Sequence, residues 1–198
     1  MPKIEWLVFD LGGVLFNFNG VAGVCTLTGW AHDVAEKLIL TSPAVEAFGT
    51  GAIDPETFGK LFAAELGVDL TATQMLEHWA EWEAGPKLGA IDYLRELRKT
   101  VRLACLTNNN VIHWQRLASR YGADVLFEKC YLSQELRLHK PDPEIFNHVI
   151  SDLDVPPQSI VYFDDVPENV AAARDCGLNA HLATSPNEIK VIMQQLQL

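Results

Sequence analysis

The side chains of this sequence best suited to chemistry stand directly after short apolar runs. Asp10 follows Ile4, Trp6, Leu7, Val8 and Phe9, and Gly12 and Gly13 come within the next three positions. Thr107 and Asn108 follow VRLACL, and Asp164-Asp165 follows SIVYF. Lys140 precedes Pro141 in the stretch HKPDPEIF. Carboxylates suit a hard cation, and a hydroxyl with a lysine suits an anion. Glycines let the backbone turn sharply and approach a ligand closely. Each feature also has an ordinary reading. Asp10 could open an Asp/Gly turn, Thr107 could cap a helix, Lys140 could be a solvated loop lysine, Asp164-Asp165 could cap the next helix, and Asn108 to Asn110 could be only a turn. Their joint occurrence after apolar runs favours a site.

Such groups converge only if the runs are parallel strands. The run before Asp10 is apolar at nearly every position, as burial on both faces requires. From Leu88 onward, strand and helix patterns alternate. Helices are expected over Leu88–Lys99, Val111–Tyr121, Glu144–Leu153, Pro167–Cys176 and Asn187–Gln197. Strands are expected over Val101–Leu106, Lys129–Leu132, Ser159–Phe163 and Asn179–Leu182. This rhythm implies an α/β fold with a parallel sheet and right-handed crossovers. Ligands then bind at the carboxyl ends of the strands, where these polar groups fall.

Between the first strand and this rhythm lies a helical block. Phe16 to Gly20 reads as a polar-aromatic turn. Helices are expected over Ala31–Leu40 and Ala44–Phe48, from Asp54-Pro55 to Leu66, and from Thr71 or Thr73 through Trp82. Trp30, Trp79 and Trp82 read as packing residues rather than a substrate box. Gly85-Pro86 marks the exit.

Of the 198 residues, 48% are hydrophobic, enough for a proper core. The formal net charge of −11 disfavours nucleic acid and anionic membranes, which require clustered Lys and Arg. It leaves room for a small phosphorylated ligand, which responds to the local field of a metal and a lysine. Cys25, Cys105, Cys130 and Cys176 show no C-x-x-C spacing and read as reduced thiols of a cytoplasmic protein. No charged segment followed by a long apolar one is present, so neither signal peptide nor membrane span is expected. The histidines lack zinc-type spacing, and His139 reads as a neighbour of the site rather than a ligand.

Taken in order, FDLGGVL, LTNN, HKPDPEIF and FDDVPENVAAARDCG resemble the four motifs of the haloacid dehalogenase-like hydrolases. The likeness spans essentially the whole chain. It is nearest to small bacterial phosphatases acting on sugar phosphates, such as glucose-1-phosphatase, and to the phosphatase domain of soluble epoxide hydrolase. The resemblance implies a Rossmann-like parallel-sheet core, residues 1–16 and 86–198, with a four-helix cap, 17–85, inserted after the first strand. It implies a Mg²⁺-dependent phosphatase that hydrolyses a small phosphate monoester through an aspartyl-phosphate. Asp10 would be the nucleophile, with Thr107, Asn108 and Lys140 binding the phosphate. Asp10, Asp165 and the Gly12 carbonyl would hold the metal. Asp165 is preferred to Asp164 because aligning Asn169 to Ala173 with the family pattern puts the metal carboxylate there; Asp164 would be a second ligand or would orient the site.

One departure stands out. Phosphatases of this family usually carry a second Asp two residues after the nucleophile, as general acid and base. Here that residue is Gly12, which keeps a carbonyl but no proton. General acid catalysis is worth about 10²–10⁴-fold. The glucose-1-phosphatase-like branch lacks this Asp too. The rival readings are a 2-haloacid dehalogenase, using the same nucleophile without metal, and a weakened binding module on the same fold. Asn17, Phe18, Asn19, His32, His78 and Glu83 are the polar or aromatic cap positions from which substrate contacts could come.

Overall fold

The structure is a computed structural model and describes residues 3–197. Five parallel strands form the central sheet: β1 (Trp6–Phe9), β4 (Arg102–Thr107), β5 (Lys129–Leu132), β6 (Ile160–Asp164) and β7 (Asn179–Leu182). Their order is β5-β4-β1-β6-β7. Strand β1 lies in the middle, with Val8 opposite Ala104 on one side and Tyr162 on the other. The chain runs from β1 to β4 and β5 on one side, then crosses to β6 and β7 on the other, so the crevice beyond the carboxyl end of β1 is a topological switch point.

Both faces of the sheet are covered, which explains the unbroken apolar runs. Leu7, Phe9, Leu103, Cys105, Val161 and Phe163 face one way. They pack on α6 (Ala90–Leu97), α7 (Val111–Tyr121) and α12 (Pro186–Gln195). Trp6, Val8, Ala104, Leu106, Ile160 and Tyr162 face the other way. They pack on α10 (Pro143–Leu153) and α11 (Pro167–Asp175). Alternation at period two thus divides each strand between two cores.

The helical block has a third core of its own, built around Phe48, Phe58, Phe62, Met75, Trp79 and Trp82. It contains α1 (Gly20–Thr28), α2 (His32–Thr41), α3 (Pro43–Gly49), α4 (Pro55–Leu66) and α5 (Ala72–Glu81). These are five helices where the pattern suggested four. The additional one is α1, whose glycines, threonines and β-branched residues are poor helix formers. Packing holds it: a Cβ on Gly23 would fall 2.0 Å from the Trp82 ring. The expected turn at Phe16 is instead strand β2 (Phe16–Phe18), paired antiparallel with β3 (Glu83–Pro86). Asn, Gly and Pro mask this ribbon, because its pairing joins segments far apart in sequence. The short helices α8 (Ala123–Leu126) and α9 (Ser133–Leu136) were likewise not expected from the pattern. No described helix is long and apolar enough to cross a membrane. All four cysteines are free, with Cys105 buried and the others half-buried.

His113 on α7 joins the block to the sheet layer. Its Nε2 lies 2.6 Å from the Trp79 carbonyl oxygen. A carbonyl only accepts, so Nε2 carries the proton and Nδ1 accepts from Asn110 Nδ2 at 3.1 Å. The ring also stacks on Trp79, with centroids 5.0 Å apart. Burial pushes the His113 pKa down from 6.5 to about 4, with Arg116 adding to the fall and the Trp79 carbonyl opposing it. The native state holds this ring neutral, whereas the unfolded chain takes up a proton below pH 6.5. Stability from this group is therefore complete above that pH and is lost as pH falls toward 4. Between about pH 8 and pH 5, wild type should lose ~2 kcal/mol more than His113→Gln, measured by urea unfolding.

The turn after β1 offers a second test. Gly13 has φ +74°, and a Cβ there would lie 1.8 Å from Asp165 Oδ2. Gly12 has ordinary φ and no atom within 4 Å of a built Cβ. Gly13→Ala should cost at least ~1–2 kcal/mol, whereas Gly12→Ala should cost ~1 kcal/mol or less, both read from denaturation midpoints.

Candidate active site

Asp10, Thr107 and Asp164 close the three central strands, and Lys140 reaches in from the loop before α10. All four are buried, with Lys140 only 2% exposed and Asp10 7%. The Lys140 ammonium donates to Asp10 Oδ1 at 2.8 Å, Asp164 Oδ2 at 2.7 Å and the Leu106 carbonyl at 3.1 Å. Its three protons are therefore all engaged. Asn108 fastens the loop that carries it. The Asn108 side chain donates to the Lys140 carbonyl at 2.9 Å and accepts from the Lys140 N–H at 2.9 Å. His139 Nδ1 lies 3.1 Å from the same amide nitrogen, so it adjoins the site as expected. The Lys140–Pro141 peptide bond is cis.

The two aspartates after β6 differ sharply. Asp164 is fully buried and saturated by protein donors. Besides Lys140, its carboxylate accepts from Val166 N at 2.8 Å, from Asn169 Nδ2 at 3.0 and 3.1 Å, and from the Tyr162 hydroxyl. Asp165 is half-buried, and among the described residues no side chain donates to it. Asp10, Asp164 and Asp165 each offer an oxygen within 4.8 Å of the others. No backbone N–H bonds to the Gly12 carbonyl among the described residues. Lys87, which the motifs do not mark, donates to the Gly13 carbonyl and to Thr184 O, so it braces the glycine turn.

The charges are unbalanced. Burial raises the Asp10 carboxyl to about 7; Lys140 opposes the rise, and Asp164 and Asp165 add to it. Burial and then the charge of Asp164 raise Asp165. Burial would raise Asp164 too, but Lys140, Tyr162 and Val166 outweigh it and hold the carboxyl below the usual range. Burial alone would lower Lys140; Asp10 and Asp164 together raise it instead. Lys140 pairs directly with Asp10 and Asp164, while Asp165 feels Lys140 and Lys87 only at longer range, so negative charge is left for a cation to meet. Asp165, the free oxygen of Asp10 and the unpaired Gly12 carbonyl are hard oxygen donors of the kind Mg²⁺ takes.

The Thr107 hydroxyl makes no side-chain hydrogen bond among the described residues, which leaves it open to a ligand. The block closes over this edge of the sheet. Ser133 Oγ donates to the Gly49 carbonyl at 2.6 Å, and Phe18, 39% exposed, sets its edge against Trp79 and His113. Glu83 is buried and accepts from Gly85 N, so it braces β3. His32 is exposed and His78 half-buried. The motifs also pass over Tyr162, although it lies two residues before Asp164 and so on the same strand face.

A family model described as haloacid dehalogenase-like hydrolase matches residues 4–177. A sesquiterpene phosphatase from Aspergillus oryzae is 26% identical over 183 residues, covering 90% of this chain and 89% of that protein. A D-ribitol-5-phosphate phosphatase from Bacteroides thetaiotaomicron is 26% identical over 183 residues, covering 88% and 89%. A HAD family enzyme from Bacteroides thetaiotaomicron, crystallised with magnesium and inorganic phosphate, superposes with a TM-score of 0.77 at 26% identity, covering 91% of this chain and 94% of that one. An L-2-haloacid dehalogenase shares the fold at 18% identity and a TM-score of 0.69, covering 92% and 86%. With most of its length matched by the family model and its strand-end aspartates and lysine gathered at one sheet edge, this chain belongs to the haloacid dehalogenase-like hydrolases.

Proposed function

We propose that the protein is a Mg²⁺-dependent phosphatase of small phosphate monoesters, with sugar and polyol phosphates as the first class to test. One observation carries the reading: Lys140 is held between Asp10 and Asp164, while among the described residues Asp165 has no direct ion pair. The similarity to a ribitol-5-phosphate phosphatase and a sesquiterpene phosphatase supports the reaction class.

In this reading Asp10, Asp165 and the Gly12 carbonyl hold the ion, and Asp164 orients Lys140. The ion, when bound, draws charge from the phosphate oxygens and offsets the dianion. Asp10 attacks phosphorus with one carboxylate oxygen. The P–O ester bond breaks, and the leaving alkoxide takes a proton from water. Water then attacks the aspartyl-phosphate at phosphorus, freeing Asp10 and phosphate. Lys140, already bonded to Asp10 Oδ1, favours the ionised carboxylate against the burial that raises its pKa. Thr107 donates its hydroxyl to a phosphate oxygen. Phosphoryl transfer asks chiefly for such positioning and charge neutralisation.

Dehalogenation by the same nucleophile needs no metal, and it would leave Asp165 uncompensated. p-Nitrophenyl phosphate and 2-chloropropionate separate the two readings. Phosphate release that requires Mg²⁺ and disappears in EDTA and in Asp10→Asn is expected. Halide release, or equal turnover by wild type and Asp10→Asn, contradicts the proposal. The space above Gly12 gives a further prediction. Gly12→Asp should raise kcat on alkyl phosphates by about tenfold or more while changing little on p-nitrophenyl phosphate, because only a poor leaving group needs the proton. No gain on alkyl esters would mean that the lost acid is not what limits the rate.

A further inference from the structure

The oxygen of Asp164 that holds Lys140 is also held by a phenol. Tyr162 is fully buried on β6, and its hydroxyl donates to Asp164 Oδ2. Burial, with Asp164 and Asp10 adding to it, keeps the phenol well above its ordinary pKa, so it is a neutral donor. Asn169 spans both oxygens of the carboxylate, and Val166 N fixes Oδ1. Tyr162 and Asn169 are therefore the side chains that share Oδ2 with the ammonium, and Tyr162 does so from within the strand itself.

The sharing has a consequence. Lys140 lies 2.8 Å from the Asp10 oxygen and 2.7 Å from Asp164 Oδ2, so the two carboxylates compete for one cation. A hydrogen bond donated to Oδ2 withdraws charge from it and fixes its direction. Without that donor, Oδ2 becomes more basic than it is now and draws the ammonium toward Asp164, away from Asp10. We propose that Tyr162 is a positioning residue: its phenol holds Asp164 so that Lys140 stays shared with the nucleophile Asp10. This rests on the phosphatase reading for its effect on rate, and it adds a residue that touches neither substrate nor metal.

Tyr162→Phe tests it. The variant keeps the ring that packs edge-on against Phe146 at 5.7 Å, so the fold survives. Tyr131→Phe is a matched control. Tyr131 also donates to an aspartate, Asp152, at 2.6 Å, but at the far strand β5. With p-nitrophenyl phosphate and MgCl₂, Tyr162→Phe should lower kcat roughly tenfold. KM for the ester and the Mg²⁺ concentration giving half activity should stay within about twofold, and Tyr131→Phe should leave kcat within about twofold. Unchanged kcat in Tyr162→Phe, or an equal loss in Tyr131→Phe, overturns the proposal. The ¹⁵N signal of the Lys140 ammonium gives a readout that does not depend on turnover. It should move in Tyr162→Phe and not in Tyr131→Phe; no movement overturns the proposal. A wild type inert toward phosphate esters would contradict the phosphatase reading alone, and the ammonium signal would still decide the role of Tyr162.

Discussion

A charged lysine buried almost completely is the constraint around which this molecule is arranged. An ammonium taken out of water costs several kcal/mol unless partners surround it, and losing one partner of a buried pair costs about 3–5 kcal/mol. Lys140 meets this by giving its three protons to Asp10, Asp164 and the Leu106 carbonyl. Those partners end three adjacent strands, β1, β6 and β4. The parallel sheet is therefore needed for the ion cluster, since only strands running the same way present their carboxyl ends together. Asn108 completes the arrangement by bonding to the backbone of Lys140 from the end of β4.

That solution remains electrically incomplete, and the proposed function starts from what is missing. Asp164 uses up its hydrogen-bonding capacity on protein groups, so it serves as scaffold. Asp165 does not, and it lies against Gly13, where a Cβ would collide with its carboxylate. In the proposed reading, a cation that brings its own waters would satisfy Asp165 and Asp10 together, and a phosphate arriving at Thr107 would then meet positive charge. In that reading Gly12 would make the site lopsided, strong in metal and charge chemistry and poor in proton donation, so that substrates whose leaving group needs little help would fit it best.

Much of this was legible in the residues. The apolar runs ending in Asp10, Thr107 and Asp164 announced a parallel sheet, because two-sided burial leaves little else at those positions. Helix α7 matched its expected bounds because Asn110 caps it and Gly122 stops it. Helix α1 and the β2–β3 ribbon were hidden, since their stability comes from Trp82 and from long-range pairing rather than from local propensity. The different fates of Asp164 and Asp165 were visible only as a preference. Neighbouring carboxylates look alike until the donors around each are known. His113 carried no chemical motif, and its place between Asn110 and the Trp79 carbonyl depends on how the block docks.

In the proposed reaction Asp10 itself takes the phosphoryl group rather than standing by as a metal ligand. Intact protein quenched in acid during turnover of a phosphate ester, digested and examined by mass spectrometry, tests it directly. One phosphoryl group is expected on the peptide that carries Asp10, removed by neutral hydroxylamine and missing from Asp10→Asn. Steady hydrolysis with no phosphoryl group on that peptide, or with the group on another residue, would contradict it.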